Sequence, residues 1–383
     1  MKEAHLLRWR SRPHARRTGS TPRVRPSGAA SHLDLFQPSA PARETCLVVL
    51  LALIVSVIVP GSRPLDAQSF FEGKTVRIVV GFAAGGGFDT HARVLSRHIG
   101  RHIPGTPTIV VDNMPGAGSL IAANQLYRIA KPDGLTIGHF NGGLFLGQVL
   151  GQAGIEFDAR KFELIGAIAK EDIACAMTKA SGITSMEKWM AAKTPVKVGG
   201  VAPGASPDNA ARVLKAALGL PVQVVSGYKG TAEIRLAAEG GEVSGACWGW
   251  DSMKTTWRRG LDEAAVVPVL QMVAKPFPDL ASVPLAITFA KTDEARRLIQ
   301  VGVHYTGAFA RPFALPPGTP KERVQLLRRA LQETLKDKAF LAEVEKTRVG
   351  LDPVTAEELD KMVAEVFTLD AALVAKLKDI LYK

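Results

Sequence analysis

The stretch Val76-Arg77-Ile78-Val79-Val80-Gly81-Phe82-Ala83-Ala84-Gly85-Gly86-Gly87-Phe88-Asp89 decides how this chain is read. A short apolar, β-branched run predicts a buried strand, and the glycines after it predict a loop over Gly81 to Phe88. A helix follows from about Asp89 to His102. The same grammar recurs at once. Thr108-Ile109-Val110-Val111 predicts a strand, Asp112 to Gly118 a loop, and Ser119 to about Ala130 a helix. Strand, glycine-rich loop and helix in succession indicate an α/β layer architecture.

Further along, Lys131-Pro132-Asp133-Gly134 is turn chemistry and Leu135 to Phe140 a third strand. A second block begins near Ile173. It holds predicted strands at Ala174–Met177, Val196–Val198, Val222–Val225 and Val243–Trp248, with helices between Pro207 and Leu218 and between Thr231 and Glu239. Val266 to Val273 predicts a strand leading back. The C-terminal part reads as helical. Thr319-Pro320-Lys321-Glu322 has the form of a capping box with Pro at the first helical position, and Val324, Leu327, Leu331 and Leu335 form one apolar face.

A strand, a glycine-rich turn and a helix start together make an anion site. The turn leaves backbone N–H groups free, and the helix dipole favours negative charge there. The first loop lacks the Gly-Lys-Ser/Thr of a P-loop, and Thr90 stands where the last glycine of G-x-G-x-x-G would fall. Nucleotide binding is therefore unsupported. One such loop is explained by tight turns alone. Two, opening adjacent helices, predict a site for a small anion, with a carboxylate the simplest occupant.

These residues also carry a resemblance. Phe82-Ala83-Ala84-Gly85-Gly86-Gly87-Phe88-Asp89 with Ala92-Arg93 resembles the F-A-P-G-G-x-x-D-x-x-A-R signature of Bug-type, tricarboxylate-receptor-like periplasmic binding proteins. Asp112-Asn113-Met114-Pro115-Gly116-Ala117-Gly118-Ser119 is similar to their N-x-P-G-A-G loop, and Pro132 to Thr136 to their P-D-G-Y-T turn. Tyr228-Lys229-Gly230 with Gly241-Glu242-Val243, and Pro316 to Pro320, resemble two further segments in order along the chain. The resemblance implies a two-lobed Venus-flytrap protein, each lobe a mixed sheet flanked by helices, which hands a small organic carboxylate to the membrane subunits of a tripartite tricarboxylate transporter. It implies that Ala84, Gly85, Gly86, Gly87 and Phe88 hold the anion with Met114, Pro115, Gly116, Ala117, Gly118 and Ser119, while Asp89 fixes the first helix end. From the second lobe it implies Gly204, Ala205 and Ser206, with Tyr228, Lys229, Trp250 and Asp251 closing over the distal end. The chain departs from the pattern at Ala84, Ala202-Pro203 and Ser226-Gly227. Trp248 and Trp250 are bulky additions, read either as core packing or as contacts to an aromatic ligand.

The 383 residues are 46% hydrophobic and 22% charged, enough to bury a large core, and carry a formal net charge of +12. Half of that excess lies in residues 1–45, where nine Lys or Arg face three acids. Cys46 to Val59 is then free of charge and too short to span a bilayer as a helix, which takes about 20 residues. A basic stretch, an apolar run and a small residue fit a secretory signal cleaved after Ala67, and hence a periplasmic protein. Residues 68–172 with 273–383 are expected to form the first lobe and 173–272 the second, with a hinge near residues 170 and 273. A monomer is expected. The remaining charge is dispersed, and no Lys/Arg cluster interleaved with aromatics speaks for nucleic acid.

Other constellations are weaker. His91, His98 and His102 share a helical face, yet no carboxylate or Cys accompanies them on that face, so no metal is expected. Cys175 and Cys247 remain after cleavage, and both a disulfide and two buried thiols stay open. Lys229 has no partner base. No Gly-x-Ser-x-Gly, His-Glu-x-x-His or Cys-x-x-Cys occurs, so neither catalysis nor a cofactor is expected. The rival readings are an α/β enzyme acting on a carboxylate and a sensory ligand-binding component.

Overall fold

A computed structural model describes residues 70–383; the basic leader, the apolar run and the expected cleavage site at Ala67 lie outside the described residues. Among the described residues, ten strands form two five-stranded sheets. The first contains β1 (Thr75–Val80), β2 (Thr108–Asn113), β3 (Thr136–His139), β4 (Glu163–Gly166) and β10 (Phe313–Leu315), in the order β2-β1-β3-β10-β4. The second contains β5 (Ile173–Thr178), β6 (Val196–Gly199), β7 (Val222–Val225), β8 (Gly245–Gly249) and β9 (Val266–Met272), in the order β7-β6-β8-β5-β9. Each sheet is mixed. β1 runs parallel to β2 and β3, and β6 to β7 and β8, whereas β10 and β5 run antiparallel to both of their neighbours. With helices packed on both sheets, this is the two-lobed α/β architecture of the flytrap class.

The central strands of the second sheet explain their own apolar runs. Every residue of β5 and β8 is buried, as expected of strands covered on both faces. Cys175 and Cys247 stand directly opposite one another on these two strands and are joined as a disulfide. The open question about the two thiols is thus answered by the register.

The helix after the first loop spans Gly87–Ile99 and buries Phe88, Ala92, Leu95 and Ile99 along one stripe. Asp112 and Asn113, expected in the second loop, continue β2 instead, because their backbones pair with Val79 and Val80. The capping box expected at Thr319 is absent. That hydroxyl donates to the Pro316 carbonyl at 2.8 Å, and the helix begins one residue later, over Lys321–Thr334. A capping box is found at Thr355 and Glu358, opening the helix Ala356–Val366.

The chain crosses between the sheets twice, from β4 into β5 and, after β9, back towards β10. The returning helix Asp293–Ile299 and the terminal helix Ala371–Tyr382 both pack against Ser206–Leu218, which follows β6 of the second sheet. Among the described residues no helix is long and apolar enough to cross a membrane.

Candidate ligand cleft

The cleft lies where loops leave the carboxyl ends of parallel strands in both sheets, the usual place for ligands in open α/β folds. The first loop leaves β1 and is built on Asp89. That carboxylate accepts from the Gly85 amide at 2.9 Å, from Arg93 Nε at 2.9 Å and from Asn113 Nδ2 at 3.0 Å. Asn113 Nδ2 also donates to the Phe82 carbonyl at 2.9 Å. Burial works against the charge on Asp89, but Arg93, the Gly85 amide and Asn113 outweigh it and hold the carboxyl below its ordinary value. Asp89 therefore ties the first loop to the end of β2, and its oxygens are spent on that clamp.

Past this clamp the helix Gly87–Ile99 opens towards the second lobe. A Cβ at Gly87 would collide with Ser252 of that lobe, so only glycine allows the approach. The second loop takes four consecutive positive φ values at Gly116, Ala117, Gly118 and Ser119. At Ala117 and Ser119, which are not glycine, this is strained backbone held by its surroundings. Here the buried Ser119 hydroxyl accepts from the Asn141 amide at 2.8 Å, and Gly118 sits against Ala202 and Ala205.

The second lobe answers with the loop after β6. Asp208 accepts from the Val201 amide at 2.6 Å and the Ala202 amide at 3.1 Å, and Asn209 accepts from the Gly204 amide at 3.1 Å. The two lobes are in direct contact. Ala83 N donates to the Lys229 carbonyl at 3.1 Å, and Asn141 Nδ2 donates to the Gly204 carbonyl at 2.7 Å.

Between them lies a cavity lined by residues of both lobes, including Gly86, Gly87, Phe88, Ser206, Thr231 and Arg311. Its volume is about 20 Å³, roughly room for one water. The N-termini of three helices, Gly87–Ile99, Ser206–Leu218 and Thr231–Glu239, face it. Their first-turn amides lack intrahelical partners, so the wall favours an anion. Phe82, Phe88, Val201, Pro207 and Trp248 supply the apolar part.

One wall carries charge. Arg311, just before β10, is 1% exposed and donates from Nη1 to Asp251 Oδ2 at 2.8 Å and from Nη2 to Glu171 Oε1 at 3.3 Å. The Ser206 hydroxyl donates to the other oxygen of Glu171. His91 meets the Gly87 carbonyl through Nδ1 at 2.6 Å and Asp251 through Nε2 at 3.1 Å. Burial opposes ionisation of Asp251, yet the charges of Arg311 and His91 hold its carboxyl far below the ordinary range.

The matching family model is that of the tripartite tricarboxylate transporter family receptor, over residues 92–378. The chain belongs to this receptor family. A UPF0065 protein of Bordetella bronchiseptica is 24% identical over 296 residues, covering 75% of this chain and 81% of its own length. The solved structure of the periplasmic binding protein BugD superposes on the receptor with a TM-score of 0.64 at 22% identity, covering 80% of this chain and 97% of that one. MatC from Rhodopseudomonas palustris, solved with bound malate, gives 0.63 at 20% identity, covering 80% and 99%. At those identities the two solved structures speak for the fold.

The receptor's expected site residues fall into three groups. Gly86, Gly87, Phe88 and Ser206 line the cavity. Ala84, Gly85 and Asp89 shape the first loop, while Met114, Pro115, Gly116, Ala117, Gly118 and Ser119 form the second loop, whose Gly118 packs against Ala205, the neighbour of Gly204; these residues are not part of the cavity lining. Tyr228, Lys229, Trp250 and Asp251 stand apart from its lining. Tyr228 donates its hydroxyl to Glu242 at 2.6 Å, the Lys229 amide donates to Glu233 at 2.8 Å, and Trp250 Nε1 donates to Asp279 at 2.9 Å. Burial, with the Glu242 carboxylate, pushes the Tyr228 hydroxyl up to about 12.

Sequence reasoning missed Glu171, His91 and Arg311 as cleft residues. Arg311 had a signal. It is the lone charge in the apolar run from Thr306 to Leu315, where an ion demands a buried partner. His98 and His102 do meet carboxylates, but from other parts of the chain: Glu343 at 2.6 Å and Asp337 at 3.0 Å.

Proposed function

We propose that the receptor is periplasmic and closes its two lobes around a small organic carboxylate, which it presents to the membrane subunits of a tripartite transporter, without chemistry of its own. The observation that carries this reading is the convergence of three helix N-termini from both lobes on one interlobe cavity. The malate in MatC supports the same ligand class. We take residues 68–172 with 273–383 as the first lobe and 173–272 as the second, moving as a monomer about the crossings near 170 and 273.

The test is thermal unfolding in the presence of mono-, di- and tricarboxylates, aromatic ones included. A ligand at a hundred times its Kd stabilises the folded chain by about 2.7 kcal/mol. Stabilisation by sugars or cations and by no carboxylate would overturn the reading. Gly86→Val and Gly116→Val are expected to abolish the shift. The first crowds Thr231 across the cleft, and the second places a branched residue at φ +146° against Ile121.

A further inference from the structure

We infer that Glu171 is a built-in stand-in for the ligand's carboxylate, and that binding exchanges it for the ligand on Arg311 and Ser206. This rests on the receptor reading above and names the anchor and the end group that it recognises.

Glu171 lies on the crossing between β4 and β5, and its side chain enters the cavity wall from the junction of the lobes. Its carboxylate has what an anionic ligand would seek there: a buried guanidinium on one oxygen, and on the other a serine hydroxyl at the start of a 13-residue helix. The two partners of Arg311 are unequal. Asp251 is held at 2.8 Å and is braced by His91, whereas Glu171 stands at 3.3 Å. The partner farther from the guanidinium is the one that lines the cavity; Asp251 does not.

Exchange also solves a charge problem. A carboxylate added to the cleft as it stands would place a third negative group around Arg311, with no new cation to meet it. Swapping it for Glu171, which regains water as it leaves, keeps the number of buried carboxylates around Arg311 unchanged and offsets the desolvation of the ligand's end group. The space vacated is that of a propionate, set against Phe88, Val201 and Pro207. The end group recognised is therefore a carboxylate on an unbranched two-carbon aliphatic stem. Because Glu171 sits at the chain crossing, its release is coupled to lobe movement.

The experiment is chemical rescue. In Glu171→Ala, propionate should raise the melting temperature in a saturable manner, propionamide of the same shape should not, and the wild type should respond to neither at the same concentration. Glu171→Gln, which keeps the volume and weakens the internal competitor, should bind a straight-chain dicarboxylate about tenfold more tightly, if the stand-in occupies the site about ten times as often as it leaves it. Equal responses of Glu171→Ala to propionate and propionamide, or none to either, would overturn the exchange. A wild type that binds a carboxylate beside a variant indifferent to propionate keeps the receptor reading and sinks this one. A wild type that answers no carboxylate, even beside a rescued variant, sinks both, because Glu171 then has no ligand to give way to.

Discussion

At the scale of single residues, the cleft works through groups whose surroundings override their ordinary chemistry. His139 is fully buried, stacked on Phe313 at 4.0 Å between ring centroids, and meets the Pro312 carbonyl through Nδ1 at 3.0 Å. Burial, only partly opposed by that carbonyl, lowers its pKa from 6.5 to about 3. The unfolded chain then takes up a proton that the folded chain refuses. Stability is full above pH 6.5 and falls as the pH drops towards 3, by about 1.4 kcal/mol per unit. His304, also lowered by burial, adds to the same slope. Urea titrations between pH 7 and 5 should therefore show a shallower loss in His139→Phe than in the wild type; identical slopes would refute the burial account. Of this layer, the glycines were legible in the sequence, because a tight approach to a helix start demands them locally. The ion cluster was not, since nothing near Glu171 in the chain announces Arg311.

At the scale of elements, the strand–loop–helix units were readable because each repeats a local pattern of apolar run, glycine and 3.6-residue stripe. β10 was not. Its three residues lie between Pro312 and Pro316, which read as loop, and it forms because β3 and β4 pair with it on either side. The disulfide belongs to this scale as well. It fastens β5 to β8 and closes a separation of 72 residues, for which loop-closure entropy gives about 4 kcal/mol. Cys175→Ala with Cys247→Ala should lower the unfolding free energy by about that amount, and reduction of the wild type should do the same. A loss well under about 1 kcal/mol in chemical denaturation would mean that the bridge hardly constrains the unfolded chain.

At the scale of the whole molecule, Arg311 bridges the two lobes, reaching from just before β10 of the first sheet to Asp251, just after β8 of the second. Asp251→Asn weakens the shorter of the two carboxylate contacts of Arg311 and leaves Glu171 to balance its charge. The expected cost is about 3 kcal/mol, seen as a larger radius of gyration in solution scattering and a lower melting temperature. Unchanged scattering would show that the pair does not hold the lobes together. The sequence by itself determined the α/β units, the two glycine loops and the anion-favouring helix starts, because these follow from periodicity and backbone freedom within a dozen residues. Only the tertiary structure decided what the loops face. His91 and Arg311 are 220 positions apart, and Glu171 and Arg311 are 140. Ionic attraction depends on distance through space and on the exclusion of water, and neither is written in the local order of residues.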